Sequence, residues 1–311
     1  MIAILGGLGA AFLWAAANLA SSRSSRLIGA SSALATMMFV GLVVTLPLVP
    51  FAGPLPQLTP ALAFWLTASG LGSVIGLFFV YRGLRIGKVG PVLAIASTEG
   101  AIAAVVAVIA GERLTILVAL MLGLIAVGIA VVALATGDAP AQTMEAGETA
   151  NAAEAGVAPA IAASDARRPL RRSVERQAAL FGTAGAIAFG FSIYGTAQAG
   201  MVLPIIIAIM PARVAGVALV FIPMALSGRL RMTRQAAPLV VITALGEVLG
   251  NAAYVIGARE SIAIAAVLAC QYAAVGAVAA FFLFRERLSL LQRSGVVAIA
   301  VGVAILTAVR T

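Results

Sequence analysis

Histidine is absent from the 311 residues, cysteine and lysine occur once each (Cys270 and Lys88), and only 10% of the chain is charged. Each shortage excludes something. Without imidazole there is no Ser-His or Cys-His nucleophile, no His-ligated metal and no His proton relay. A single cysteine builds no intrachain disulfide, and Cys270 lies in an apolar run, where a small packed residue is the plain reading. No G-x-x-x-x-G-K-[ST] loop occurs, so the chain by itself is not an ATP-driven pump. No metal-ligand cluster or nucleophile motif is visible. The expectation is a protein that is not an enzyme and needs no cofactor or metal.

Apolar length takes the place of these features. The chain is 62% hydrophobic with a mean hydropathy of +1.12, whereas a soluble domain is about half apolar and about a quarter charged. The net charge of +9 comes from arginines at the ends of apolar runs. There they set topology and meet anionic lipid headgroups; membrane lipid is the expected partner, not nucleic acid. The first apolar run has no basic leader and no A-x-A-like site, so it reads as a retained span.

A spanning helix needs about 20 mostly apolar residues. Ten segments qualify: 2–20, 32–52, 60–80, 90–110, 116–136, 179–199, 204–226, 237–257, 262–283 and 291–309. Barrel strands would be half as long and alternate in polarity. The expected fold is therefore an all-α integral membrane protein with ten transmembrane helices. Residues 137–178 are rich in Ala, Gly, Pro and small polar residues, acidic first and basic last. Such a stretch cannot bury a core and reads as a flexible linker. It separates a five-helix unit at 1–136 from another at 179–311.

The two units match at one offset. "GERLT" (111–115) returns as "RERLS" (285–289), 174 positions later. At that offset "LGSVIGLFFVYRGLR" (71–85) lies over "LGEVLGNAAYVIGAR" (245–259), and "AVGIAVVAL" (126–134) over "AVGVAILTA" (300–308). An odd number of spans per unit turns the second unit upside down in the membrane. The outcome is an inverted repeat, with a substrate site near the midplane between the halves. The charged turns stop one helix and start the next. Glu112–Arg113 and Glu286–Arg287 are expected to pair locally at the surface, away from any site.

These features carry a resemblance. "ASTEGAIAAVVAVIAGERLT" (96–115) and "CQYAAVGAVAAFFLFRERLSLLQRSGVVAIAVGVAIL" (270–306) resemble the end of a repeat in the EamA-type, ten-helix branch of the drug/metabolite transporter superfamily. "LWAAAN" (13–18) resembles its first helix, with Ala15 replacing a frequent glycine. Tyr272 stands where the second repeat often has tyrosine, but Ala273 replaces the usual following proline. The resemblance implies a secondary transporter of small metabolites in the bacterial inner membrane, often an exporter of amino-acid-like or drug-like compounds. A competing expectation on the same fold is a flippase for a lipid- or polyprenyl-linked amphiphile, with a cavity apolar for most of its depth.

Eleven residues are acidic, and two of them, Glu99 and Glu247, fall near the middle of spans. A charge at the bilayer centre costs roughly 2.5–3.5 kcal/mol on insertion scales, so such groups face a cavity or a partner. Desolvation favours the neutral form of a carboxyl group, which is what a proton-coupled carrier needs. Glu247 and Glu99 are the candidate proton-coupling groups; hydrogen bonding between helices is the structural alternative. Glu247, Asn251 and Tyr254 share a helix face at i, i+4, i+7, as do Trp14 and Asn18. Span four adds Thr98 beside Glu99, span six adds Tyr194, and span nine adds Gln271 and Tyr272. Converging, these ten residues would line a polar pocket with aromatic walls for a small-molecule substrate. Pro204 and Pro211 should break span seven, where Arg213 either pairs with an acid or snorkels to the surface. The G-x-x-x-G pairs Gly72/Gly76 and Gly246/Gly250 should let helices approach closely.

Orientation is a point of conflict. With ten spans the termini share a side with only Arg113, Arg213, Arg259 and Arg310, four of the 20 basic residues. The positive-inside rule then puts both termini outside the cytoplasm, whereas the resemblance implies both inside. Following the charge count, a reporter fused at the C-terminus is expected to be active only outside; a cytoplasmic signal overturns that orientation.

Overall fold

The structure is a computed structural model that describes residues 1–86, 92, 95–136, 168–272, 274–275 and 290–310. The described residues form ten helical units. Helix α1 is Ile2–Ile28, and α2 is Ala30–Thr45 with a tight final turn at Leu46–Phe51. Then come α3 (Pro60–Ile86), α4 (Glu99–Ile109), α5 (Ile116–Thr136) and α6 (Arg168–Val202). After these lie α7 (Ile205–Leu226), α8 (Ala236–Ala258), α9 (Ile262–Ala269) and α10 (Leu290–Arg310). Six of the ten are long and apolar enough to cross a membrane unaided; α4, α5 and α10 carry shorter apolar stretches.

Several boundaries differ from expectation. "SSRSSR" (21–26) does not end α1, because Ser and Arg are tolerated in a helix that has left the hydrocarbon. At about 1.5 Å per residue its 27 residues reach beyond a core of about 30 Å. Gly29, at φ 84°, makes the break. Helix α6 starts at Arg168, so 168–178, assigned above to the linker, are helical; 137–167 lie outside the described residues. As the prolines suggested, α7 is interrupted. Pro204 caps a four-residue turn, Pro211 starts Met210–Gly216, and a wide turn at Val217–Phe221 precedes Ile222–Leu226.

Packing follows the repeat. Among the described residues α1 lies most extensively on α8, and its counterpart α6 lies likewise on α3, the counterpart of α8. Helix α9 fits against α1 and α4, α4 against α6 and α9, and α5 against α10. Glycines permit the closeness. A Cβ on Gly6 would lie 2.6 Å from Ala253 O and from Gly257 Cα, and one on Gly72 would lie 2.8 Å from Ala188 O. Ser69 and Thr196 hydroxyls, 2.6 Å apart, tie α3 to α6, and Ser192 Oγ donates to Ser69 O at 2.7 Å.

The connection "ARES" (258–261) satisfies three helix ends in succession. Arg259 donates to Gly200 O (2.9 Å) and Leu203 O (3.1 Å) at the C-terminus of α6. Glu260 accepts from Ala3 N at 2.7 Å at the start of α1. Ser261 caps α9 by accepting from Ile264 N at 3.2 Å. Each charge suits the helix dipole it meets. Glu112 of "GERLT" joins them, and this corrects the expected local pair. Freed by the turn at Gly111 (φ 106°), it accepts from Ser261 Oγ at 2.5 Å and Ala263 N at 3.2 Å, across the two halves. "RERLS" lies outside the described residues.

The contact between α1 and α8 yields a test. Gly6→Ala forces backbone apart and is expected to cost about 1–3 kcal/mol. Gly123 has nothing within 4 Å of a notional Cβ, so Gly123→Ala should be neutral or gain up to about 1 kcal/mol from helix propensity. Thermal unfolding in detergent reads both.

Candidate functional site

Spans four and nine are broken at equivalent places. The chain turns at Ser97–Thr98 before α4 and at Cys270–Gln271 after α9, and 97 and 271 are 174 apart. Neither turn contains proline. Thr98 directs both its N–H (3.1 Å) and its hydroxyl (2.7 Å) to Ile95 O. Gln271 N–H reaches Leu268 O at 3.2 Å. Three-residue turns thus replace the helical pattern, and a helix expected to run through 262–283 stops at Ala269. The breaks touch one another: a Cβ on Gly100 would sit 2.6 Å from both Ala266 O and Cys270 Sγ.

Glu99 starts α4 at this crossing. It is buried, with Tyr272 OH 3.5 Å and Cys270 Sγ 3.8 Å from Oε1. Cys270, read above as packing, does pack, and it also faces this carboxyl. Glu247 lies on α8 with its Oε2 3.8 Å from Arg213 Nη2. Asn251 Nδ2 donates to Glu247 O at 2.7 Å and stands 3.4 Å from Oε2. Arg213 is buried in the interior, so it does not snorkel, and it leaves the surface charge count. Gly41 on α2 makes its berth: a Cβ there would lie 3.2 Å from Arg213 Cδ and Nε.

Trp14 joins the two groups. Its ring lies 6.1 Å edge-on from Tyr272 and 6.3 Å from Tyr254. It is seated on Gly250, where a Cβ would come within 2.5 Å of Cδ1 and Nε1. The structure therefore brings together Trp14, Glu99, Glu247, Asn251, Tyr254 and Tyr272, with Gln271 buried beside Tyr272.

Other expected residues have different surroundings. Tyr194 is fully buried, edge-on to Trp65 at 5.0 Å, and its oxygen accepts from Gln198 Nε2 at 2.6 Å. Tyr254 OH donates to Ile193 O at 3.2 Å. These contacts join α3, α6 and α8 on the terminus side of Trp14. Thr98 spends its hydroxyl on its own turn. Sequence reasoning missed Trp65 and Gln198; the signal for Gln198 was its i+4 spacing from Tyr194.

Burial shows which side is open. On α1 the stripe holding Leu5 and Phe12 is exposed, as a lipid face should be. Asn18 lies on the opposite, inner face, one turn beyond buried Trp14, yet it is exposed. Ser21, Ser22 and Ser25 beyond it are half-buried, and the Glu247 side chain is 25% exposed on the inner face of α8. On the terminus side every residue from Ser261 to Gln271 is buried. At the level of the cluster, exposure falls toward the C-terminal end of α1, while aromatic side chains pack on the terminus side. A separate shallow apolar groove of about 280 Å3 between α3 and α6, lined by Phe64, Leu71 and Phe191 among others, lies on the outer surface, away from this cluster.

Known proteins give likenesses of two kinds. Residues 1–134 match the EamA-like transporter family. A solved crystal structure, titled only as that of a protein, covers 99% of this chain and 96% of its own, with a TM-score of 0.71 and 18% identity. At that identity the likeness is one of fold. No curated protein matches.

One-sided access has a direct readout. In a Cys270→Ala background, Asn18→Cys should react with a membrane-impermeant maleimide while Ala263→Cys stays unlabelled. Equal labelling of the two would remove the closed side.

Proposed function

We propose that the chain, whose residues 1–134 match the EamA-like transporter family, is a membrane transporter and acts as a proton-coupled secondary carrier, holding a small polar metabolite between its halves. The observation that carries this reading is the interior cluster of Glu99, Glu247 and Arg213 at the meeting of broken helices. Ionisable groups at this depth are costly and mark transport pathways, and discontinuous helices are where carriers place substrate and coupling ions.

Trp14, Tyr254 and Tyr272 wall the substrate, and Asn18, Asn251 and Gln271 add polar contacts. Glu247 takes up and releases the proton, with Glu99 as the second exchanging group. In alternating access, the packing of Trp65, Tyr194 and Tyr254 opens toward the termini as the Asn18 side closes. The family points to amino-acid-like or drug-like compounds and to export. The charged lining supports a metabolite over the amphiphile that a flippase would move.

A thermal-shift screen of metabolites identifies the substrate, since bound ligand raises stability by mass action. Uptake of that compound into proteoliposomes under an imposed pH gradient then tests coupling. Glu247→Gln is expected to abolish gradient-driven accumulation while leaving downhill exchange, and Glu99→Gln to weaken it. If both variants accumulate substrate like the wild type, neither carboxyl couples protons.

A further inference from the structure

Three buried side-chain donors have no hydrogen-bond acceptor among the described residues: Arg213 Nη2, Trp14 Nε1 and Gln271 Nε2. All are N–H groups, and all belong to the helices that carry the cluster. A buried donor left unmade is costly, most of all a charged one, so a native site keeps such groups for something that brings acceptors. The Arg213–Glu247 separation of 3.8 Å is close enough to neutralise charge but too long for a hydrogen bond. The guanidinium thus has a counter-ion while Nη2 makes no hydrogen bond.

The charged and titratable surroundings are few. Arg213 reaches Glu247 from α7. The nearby crossing adds the carboxyl of Glu99 on α4, with the Tyr272 hydroxyl 3.5 Å from its Oε1. Helix α1 brings only neutral Trp14 and Asn18 to this level, and α2 brings Gly41. The pair is also unique to one half: at the repeat offset Arg213 falls over Phe39, and Glu247 over Ser73. Among the described residues Arg213 is the one buried cation, and Glu247 is its partner.

We propose that Arg213 anchors an oxyanion group of the substrate, a carboxylate or a phosphate-type group, and that Glu247 must be protonated for it to do so. Ionised Glu247 occupies the cation and repels a second anion. Once Glu247 takes a proton, the guanidinium is an uncompensated buried cation, and an entering oxyanion supplies both countercharge and acceptor atoms. Charge balances: a proton and an anion enter together, and the site's net charge is unchanged. This deepens the carrier reading and rests on it for the transport step, although binding itself is an equilibrium measurable without transport.

Calorimetry on the purified full chain in detergent tests the proposal with benzoate, phenylphosphonate and neutral benzamide as probes. Benzoate or phenylphosphonate should bind and benzamide should not, and the preference between the anions identifies the group. Over a pH range in which benzoate stays ionised, its affinity for the wild type should rise as pH falls, with proton uptake on binding. Glu247→Gln should bind at least as tightly as the wild type at its best, without that pH dependence. Arg213→Gln should lose anion binding, and Arg213→Lys should retain part of it. The proposal is overturned if benzamide binds as well as the anions, if neither anion binds to wild type or Glu247→Gln, if Arg213→Gln still binds, or if the pH dependence survives Glu247→Gln. Should Arg213→Gln not fold, Glu247→Gln decides alone. Proton-driven uptake that persists despite such a failure would leave the carrier reading standing and remove only this inference.

Discussion

Hydrocarbon offers no hydrogen bonds, and the architecture follows from that constraint. Every backbone group within the bilayer must be satisfied by the protein itself, so the chain is helical. Helix ends are the weak points, and one short connection serves three of them. Arg259 closes α6, Glu260 starts α1, and Ser261 with Glu112 starts α9. These contacts bind the first half to the second on the terminus side. They give the charged loops a structural task that needs no substrate.

The same constraint gives meaning to the two breaks. Interrupting a helix at mid-depth exposes polar backbone, and the protein does so at Ser97–Thr98 and at Cys270–Gln271. The breaks meet, with Gly100 against Cys270, and polar side chains collect around them. Pseudo-symmetry supplies the crossing, while departure from symmetry supplies the charge. Phe39 and Ser73 stand where the second half has Arg213 and Glu247. The scaffold is doubled, but this ion pair is not repeated at the offset.

Much of the site was legible because ionisable residues are rare in apolar sequence. Glu99 and Glu247 stood out, and the i, i+4 spacing put Asn251 on the face of Glu247, where its Nδ2 donates to Glu247 O. Tyr194 shows the limit of such reasoning. Its side chain lies on the inner side of α6, as a pocket residue would, yet it packs on Trp65 and closes the terminus side. Whether an inward aromatic lines a cavity or seals it depends on what the opposite helix presents. Arg213 was ambiguous for the same reason. Near a proline break its guanidinium could turn to headgroups or inward, and the space beside Gly41 decided.

The sequence by itself determined the helical class, the inverted doubling and which acids lie inside the apolar spans, because hydropathy, a constant offset and the cost of buried charge are local or additive properties. Only the tertiary structure decided that Glu112 caps a helix 149 residues away, that Arg213 faces Glu247, that two helices break at proline-free turns where they cross, and that exposure falls on the Asn18 side. Those outcomes depend on which surfaces meet in three dimensions. A period or a count along the chain carries no record of that.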